Sequence, residues 1–217
     1  MIVSGGYHGN MNRLAIFDLD GTLADSFPWF LRVVNMVAQK HGFRTLHPDD
    51  IETLRGKDTR QILDFLEVAR WKLPFIARDM RRMKARAADI ALFDGVDAML
   101  AALAAKGIAM ALVSSDSEAN VRRTLGGSAR FISHFACGAS LFGKAAKFGQ
   151  VLRRAGIPAE LAVAIGDEVR DGEAARKAGV RFGAVSWGYA SIAALQRLSP
   201  DFVFSEMAEI PVKLGQE

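Results

Sequence analysis

A single cysteine, Cys137, stands among 217 residues, which excludes an internal disulfide and fits the expectation of a chain kept in a reducing cytoplasm. Its apolar flanks predict a packed thiol rather than a reactive one. No apolar run approaches the roughly 20 residues needed to cross a bilayer, so no membrane partner is expected. Also missing are internal repeats, low-complexity linkers and any basic run interleaved with aromatics, and no nucleic-acid partner is expected. The net charge of +4 has one source. Between Ala24 and Ala91 there are 13 Lys and Arg against 9 Asp and Glu, while the remainder balances at 15 against 15. Those basic residues are scattered at helical spacing, as on solvated helix faces. Four histidines, His8, His41, His47 and His134, show no spacing of a metal site or triad. Met1 to Asn10 is Gly-rich, lacks a signal-peptide core and is expected to be a disordered lead-in.

What is present is a large apolar fraction, half of the residues, enough for a sizeable core. The length suits one core domain with an insertion better than two full domains. Leu14-Ala15-Ile16-Phe17 reads as a fully buried strand, and Asp18-Leu19-Asp20-Gly21-Thr22-Leu23 follows it at once. In an extended chain Asp18 and Asp20 project to the same side, at the carboxyl end of the strand. One carboxylate can attack while its neighbour handles a proton. The charge gathered there calls for a cation, most simply Mg²⁺, which prefers carboxylate oxygens, water and substrate phosphate.

Asp25-Ser26 before Pro28 predicts a capped helix start, and the periodic Trp29, Val33, Val34 and Val37 carry that helix to Gly42. Asp58 or Thr59 caps a helix expected to run to about Arg70, and Pro74 opens another expected to reach about Ile90. No strand pattern interrupts this region. From Phe93 onward strands and helices alternate, which implies a parallel sheet with crossover helices. Ile108–Val113 is a buried strand ending in Ser114-Ser115, ahead of a helix start suited to holding phosphate oxygens. Phe131–Gly138 reads as a short strand, and Phe142-Gly143-Lys144 opens a helix to about Ala155. Lys144 and Lys147 both stand at the start of that helix, and Lys144 is the one at the loop. Leu161–Gly166 is a further strand, followed by Asp167-Glu168-Val169-Arg170-Asp171. Two more strands, at Phe182–Val185 and Asp201–Phe204, complete the pattern.

These four stretches, in this order and each at a strand end, resemble the four motifs of the haloacid dehalogenase superfamily, most of whose members are phosphohydrolases. The resemblance covers the chain from Arg13 on and implies an α/β fold, a Rossmannoid parallel-sheet core carrying a small all-helical cap inserted after the first strand. The implied partition is a lead-in over 1–10, a core over 11–23 and 92–217, and a cap over 24–91. The cap and the Ser186-Trp187-Gly188-Tyr189 loop point to the phosphoglycolate phosphatase-like branch. By the resemblance Asp18 is the nucleophile, Asp20 the general acid and base, and Lys144 the charge-neutralising lysine. Mg²⁺ is implied on Asp18, Asp167, Asp171 and, through its backbone carbonyl, Asp20. Thr22, Ser114 and Ser115 are the implied phosphate contacts, and Arg55, Gly56 and Lys57 are the candidates for substrate choice. The implied activity is hydrolysis of a small phosphorylated metabolite, phosphoglycolate-like, by a cytoplasmic monomer or homodimer. A phosphomutase of the β-phosphoglucomutase type and a noncatalytic binding protein are the alternatives. Glu168 and Arg170 depart from the Ser and Asn often found in the fourth motif, and no proline follows Lys144.

Overall fold

The computed structural model describes residues 13–138 and 143–216. The expected lead-in over 1–10 lies outside the described residues, as does Phe142 in the loop expected before Lys144. The chain runs β1 (Leu14–Phe17), α1 (Phe27–His41), α2 (Ile51–Arg55), α3 (Thr59–Phe65), α4 (Leu73–Lys84) and α5 (Val96–Ala105). It continues through β2 (Ala109–Val113), α6 (Glu118–Leu125), β3 (His134–Ala136), α7 (Lys144–Ala155) and β4 (Ala162–Gly166). Last come α8 (Val169–Ala178), β5 (Arg181–Val185), α9 (Ile192–Gln196), β6 (Phe202–Phe204) and α10 (Glu209–Gly215). Among the described residues no helix is long and apolar enough to cross a membrane.

Among the described residues six strands, all parallel, stand in the order β3-β2-β1-β4-β5-β6. Strand β1 is central and pairs on both sides, Leu14 with Ala109 and with Ala162. A parallel strand covered on both faces has no polar side, which is why its sequence is uniformly apolar. The two-residue period then divides it. Ala15 and Phe17 pack beneath α5, α6 and α10, with Leu100, Leu125 and Ile210, while Leu14 and Ile16 meet Phe148 of α7 and Ala175 of α8 on the other face. The strand order reverses between β1 and β4, and the crevice beyond their carboxyl ends is where an open α/β sheet offers a site.

The segment between β1 and α5 is helical apart from turns and two isolated bridges, Asp20 with Ala24 and Ala24 with Leu92. It leaves and rejoins the sheet domain side by side: Phe93 N–H donates to Leu23 O, Asp25 N–H donates to Ala91 O, and Ala24 bridges Leu92. Two helices are shorter than their sequence pattern, α4 because of this return. Helix α4 stops at Lys84 rather than Ile90, because residues beyond it must reach the bridge at Leu92. Helix α3 stops at Phe65, and Glu67 adopts φ +55 where the chain turns. Ser26 precedes α1 as expected but caps nothing, since its hydroxyl is 3.0 Å from the Tyr189 hydroxyl. Asp58 does cap α3, accepting from Gln61 N–H in a reciprocal capping box. The strand expected from Phe131 is confined to His134–Ala136, because Gly126–Phe131 winds into a 3₁₀ turn.

Candidate active site

Asp18 leaves β1 with its N–H donated to Ile165 O across the β1–β4 pair, so this carboxylate and Asp167 are carried by adjacent strand ends. One helical turn into the β4–α8 connection, Asp171 turns back and accepts from the backbone N–H groups of Asp167 and Glu168 at 3.1 and 3.0 Å. Oxygens of Asp18, Asp167 and Asp171 all lie within 4.8 Å of one another, and all three residues are buried. Sequence spacing of four between Asp167 and Asp171 becomes proximity only because the helix begins between them.

One ammonium enters the cluster. Lys144, the first residue of α7, places Nζ 2.8 Å from Asp18 Oδ2 and 2.5 Å from Asp171 Oδ1. Burial opposes its charge, yet the Asp171 and Asp18 carboxylates outweigh burial and hold its pKa above the ordinary lysine value. Lys147 lies elsewhere, donating to the Ser114 and Gly138 carbonyls. Side chains at a helix N-terminus lean backwards, so the two lysines three residues apart serve different loops.

Three carboxylates and one lysine leave a negative surplus. Asp167 is pushed well above the ordinary carboxylate range, first by burial and then by repulsion from Glu168, Asp171 and Asp18, against the opposing Tyr189 N–H. Asp18 Oδ2 meets the lysine as an ion pair without an aligned hydrogen bond. An all-oxygen set with surplus charge and an under-satisfied buried oxygen fits a hard divalent cation. Asp167 is held rigidly for that purpose: Thr22 Oγ1 donates to its Oδ1 at 2.8 Å and Tyr189 N–H to its Oδ2 at 2.8 Å. Gly21 has φ +75, and a Cβ there would come 2.1 Å from Asp167 Oδ2. Only glycine fits at that turn.

Asp20 is not among the clustered side chains. Both its oxygens are taken by Lys84 Nζ, at 2.6 and 2.7 Å, and the same ammonium lies 3.1 Å from Asp116 Oδ2. Lys84 ends α4 and is buried; burial opposes its charge, but Asp20 and Asp116 raise its pKa nonetheless. Asn120 and Arg123 of α6 fasten the same end of α4 by donating to the Arg81 and Lys84 carbonyls. Sequence reasoning missed Lys84 and Asp116, because Lys84 is one of several basic residues at the end of α4 and nothing local marks it.

The remaining expected residues divide. Thr22 is fully buried and its hydroxyl is spent on Asp167, so its side chain orients a carboxylate instead of facing a substrate. Ser114 is buried, its hydroxyl accepting from Asp116 N–H, while Ser115 opens onto the cavity above the site. Arg55 does not point its guanidinium at open space: Nε donates to Tyr189 O and Nη2 to Gly188 O, both at 3.0 Å. Gly56 O accepts from Arg197, and Lys57 lines the cavity. Arg55 thereby ties the insertion to the loop that holds Asp167. Tyr189 reinforces the tie, its ring centroid 4.8 Å from that of Phe27. Glu168 and Arg170, the departures noted in the fourth motif, neutralise each other at 2.5 Å.

The family model for haloacid dehalogenase-like hydrolases matches residues 15–185. A phosphoglycolate phosphatase of Xanthomonas campestris is 30% identical over 213 residues, covering 93% of this chain and 92% of the relative. One from Synechococcus elongatus is 29% identical over 201 residues, covering 90% and 93%. A haloacid dehalogenase-like hydrolase from Streptococcus pneumoniae superposes with a TM-score of 0.77 at 20% identity, covering 94% of this chain and 99% of that one. CbbY from Rhodobacter sphaeroides, solved with phosphate, superposes at 0.67 with 22% identity, covering 92% and 96%. With the motif carboxylates gathered at the switch point of a matching fold and most of its length under the family model, the chain belongs to the haloacid dehalogenase-like hydrolases.

Proposed function

We propose that this hydrolase is a Mg²⁺-dependent phosphatase acting on a small phosphorylated metabolite through an aspartyl phosphate. The observation that carries this reading is Asp18, buried between the Lys144 ammonium and the Asp167–Asp171 pair at the end of the central strand. Asp18 attacks phosphorus, and the bond from phosphorus to the alcohol oxygen breaks as Asp20 supplies that oxygen with a proton. Asp20 then takes a proton from the water that attacks the acylphosphate, releasing inorganic phosphate and restoring Asp18. Lys144 offsets the charge of the nucleophile and of the transferring group. Asp18, Asp167 and Asp171, with the Asp20 backbone carbonyl, would hold Mg²⁺, which supplies screening of the repulsion between carboxylate and phosphate.

Residues 24–91 serve as the cap, and 11–23 with 92–217 as the core. Because Lys84 grips both oxygens of Asp20, that grip must loosen before Asp20 can donate, and Lys84 moves with the insertion. Cap position and proton transfer are thereby coupled. Arg55 acts as a latch on the Gly188-Tyr189 loop, and Lys57, Gly56, Ser114 and Ser115 remain the candidates for substrate contact. The relatives' names make phosphoglycolate the first ester to assay. Burial raises the Cys137 thiol to about 11, consistent with an unreactive cysteine in a cytoplasmic monomer or homodimer.

Acid quenching during turnover of a phosphorus-labelled ester with Mg²⁺ tests the reading. Label should be trapped on the wild-type chain and absent from Asp18→Asn. Undiminished turnover by that variant overturns the mechanism.

A further inference from the structure

Asp20 lines a cavity of about 540 Å³, bounded by the core loops below and by α1 to α4 above. That volume is in the range of pockets that enclose drug-sized ligands, roughly 300–1,000 Å³, and is far beyond the need of a two-carbon acid. Its lower end carries Asp20, Lys84, Ser115, Asp116, Glu168 and Arg170. Its upper part is apolar, with Val34, Leu63, Ile76, Ala77 and Met80 among the lining side chains.

The insertion's own packing is the unusual feature. Helix α3 buries no residue, although Ile62 and Leu63 line the cavity, and the residues that α4 does bury are the charged Asp79 and Lys84. Ile62 and Leu63 of α3 and Ile76, Ala77 and Met80 of α4 thus turn toward this cavity. Water gains little in such a space, having few polar partners there, whereas an apolar group entering it recovers both hydrophobic burial and dispersion contacts. Several of the lining cations are already engaged, Arg55 by two carbonyls, Lys84 by two carboxylates and Arg170 by Glu168. Lys57 and Arg81 also line the cavity and would favour a second anionic group on the substrate.

Resting on the phosphatase reading, in which the leaving group faces Asp20 and the insertion, we propose that the preferred substrates are phosphomonoesters of apolar alcohols several carbons long. The phosphoryl group sits at Asp18 and the hydrocarbon part extends among α1, α3 and α4.

A homologous series of n-alkyl phosphates from ethyl to octyl, assayed with phosphoglycolate and a small aryl phosphate, tests this. The leaving alcohols differ little in acidity, so the series isolates burial. Each methylene should raise kcat/KM about three- to fourfold until the cavity is full, about a hundredfold from ethyl to hexyl. A flat profile, or phosphoglycolate at least tenfold better than every alkyl ester, overturns the inference and favours Lys57 and Arg81 as anion contacts. In Ala77→Phe the profile should peak at a shorter chain, and an unmoved peak counts against the cavity. If no ester, the aryl phosphate included, is turned over, the phosphatase reading fails separately. Calorimetry with ethyl- and hexylphosphonate then still decides: much tighter hexyl binding supports the cavity, and equal binding overturns it.

Discussion

At the carboxyl ends of β1 and β4 buried carboxylates are each held by named donors, whereas α3 and α4 of the insertion leave their apolar side chains around a void and bury two charges. In the first region Thr22 and the Asp167 N–H aim two carboxylates into the cluster while Lys144 offsets only part of its charge, the arrangement a cation would complete. The second touches the first through a few long contacts, chiefly Lys84 on Asp20 and Arg55 on Gly188 and Tyr189. On the proposed function the sheet carries the chemistry and the insertion the choice of substrate. Changes in the two regions should fail differently.

The largest effect belongs to the sheet region. Asp18→Asn should lower kcat by a factor on the order of 10³ or more, as removal of a nucleophile does, with far-ultraviolet circular dichroism unchanged. Wild-type kcat in the variant would erase the distinction between the regions.

Metal removal comes next. Chelation with EDTA should lower turnover about a hundredfold or more, Mg²⁺ should restore it, and Ca²⁺ should restore little because its shell is larger and looser. Full activity in metal-free buffer would remove the metal from the Asp18, Asp167 and Asp171 cluster.

The contact between the regions should report in both currencies. Lys84→Met leaves Asp116 buried and Asp20 partly buried without their cation, which should cost about 3 kcal/mol as a shift in urea midpoint at constant m-value. It should also move the pH dependence of kcat, since Asp20 loses the group that grips it. A variant as stable as wild type with an unmoved pH profile would show that Lys84 couples nothing.

The smallest effect lies within the insertion. Asp79 is held at about 2 by hydrogen bonds from Lys40 and His41, against burial. A folded pKa below the unfolded value of about 3.9 gives stability that is present above pH 4 and lost as pH falls toward 2. Asp79→Asn should flatten that part of the stability profile and leave neutral-pH turnover of a small aryl phosphate nearly unchanged. An equally steep acid limb in the variant assigns the loss to other carboxylates.

Much of this was readable along the chain. Leu14–Phe17 reads as a buried parallel strand and Gly-Asp after Ala162–Ile165 as another strand end, because a strand covered on both faces leaves no place for polar residues until it emerges. The order of the four motifs, the family resemblance and the roles implied for Asp18, Asp20 and Asp167 follow from such local patterns. The extents of α3 and α4 did not, since Glu67 turns the chain at φ +55 after α3 and the bridge from Ala24 to Leu92, a contact between distant segments, draws it away after α4.

The sequence by itself determined the strands, the motif carboxylates at their ends and an all-helical stretch after the first strand, because periodicity and capping are short-range properties. Only the tertiary structure set Lys144 against Asp18 and Lys147 against Ser114 O, turned Thr22 toward Asp167 and Arg55 toward Gly188, set Lys84 on Asp20 across 64 residues, and left a cavity lined by α3 and α4. Long cationic side chains reach whichever carboxylate or carbonyl the packed helices bring within about 3 Å, and no local pattern encodes that partner.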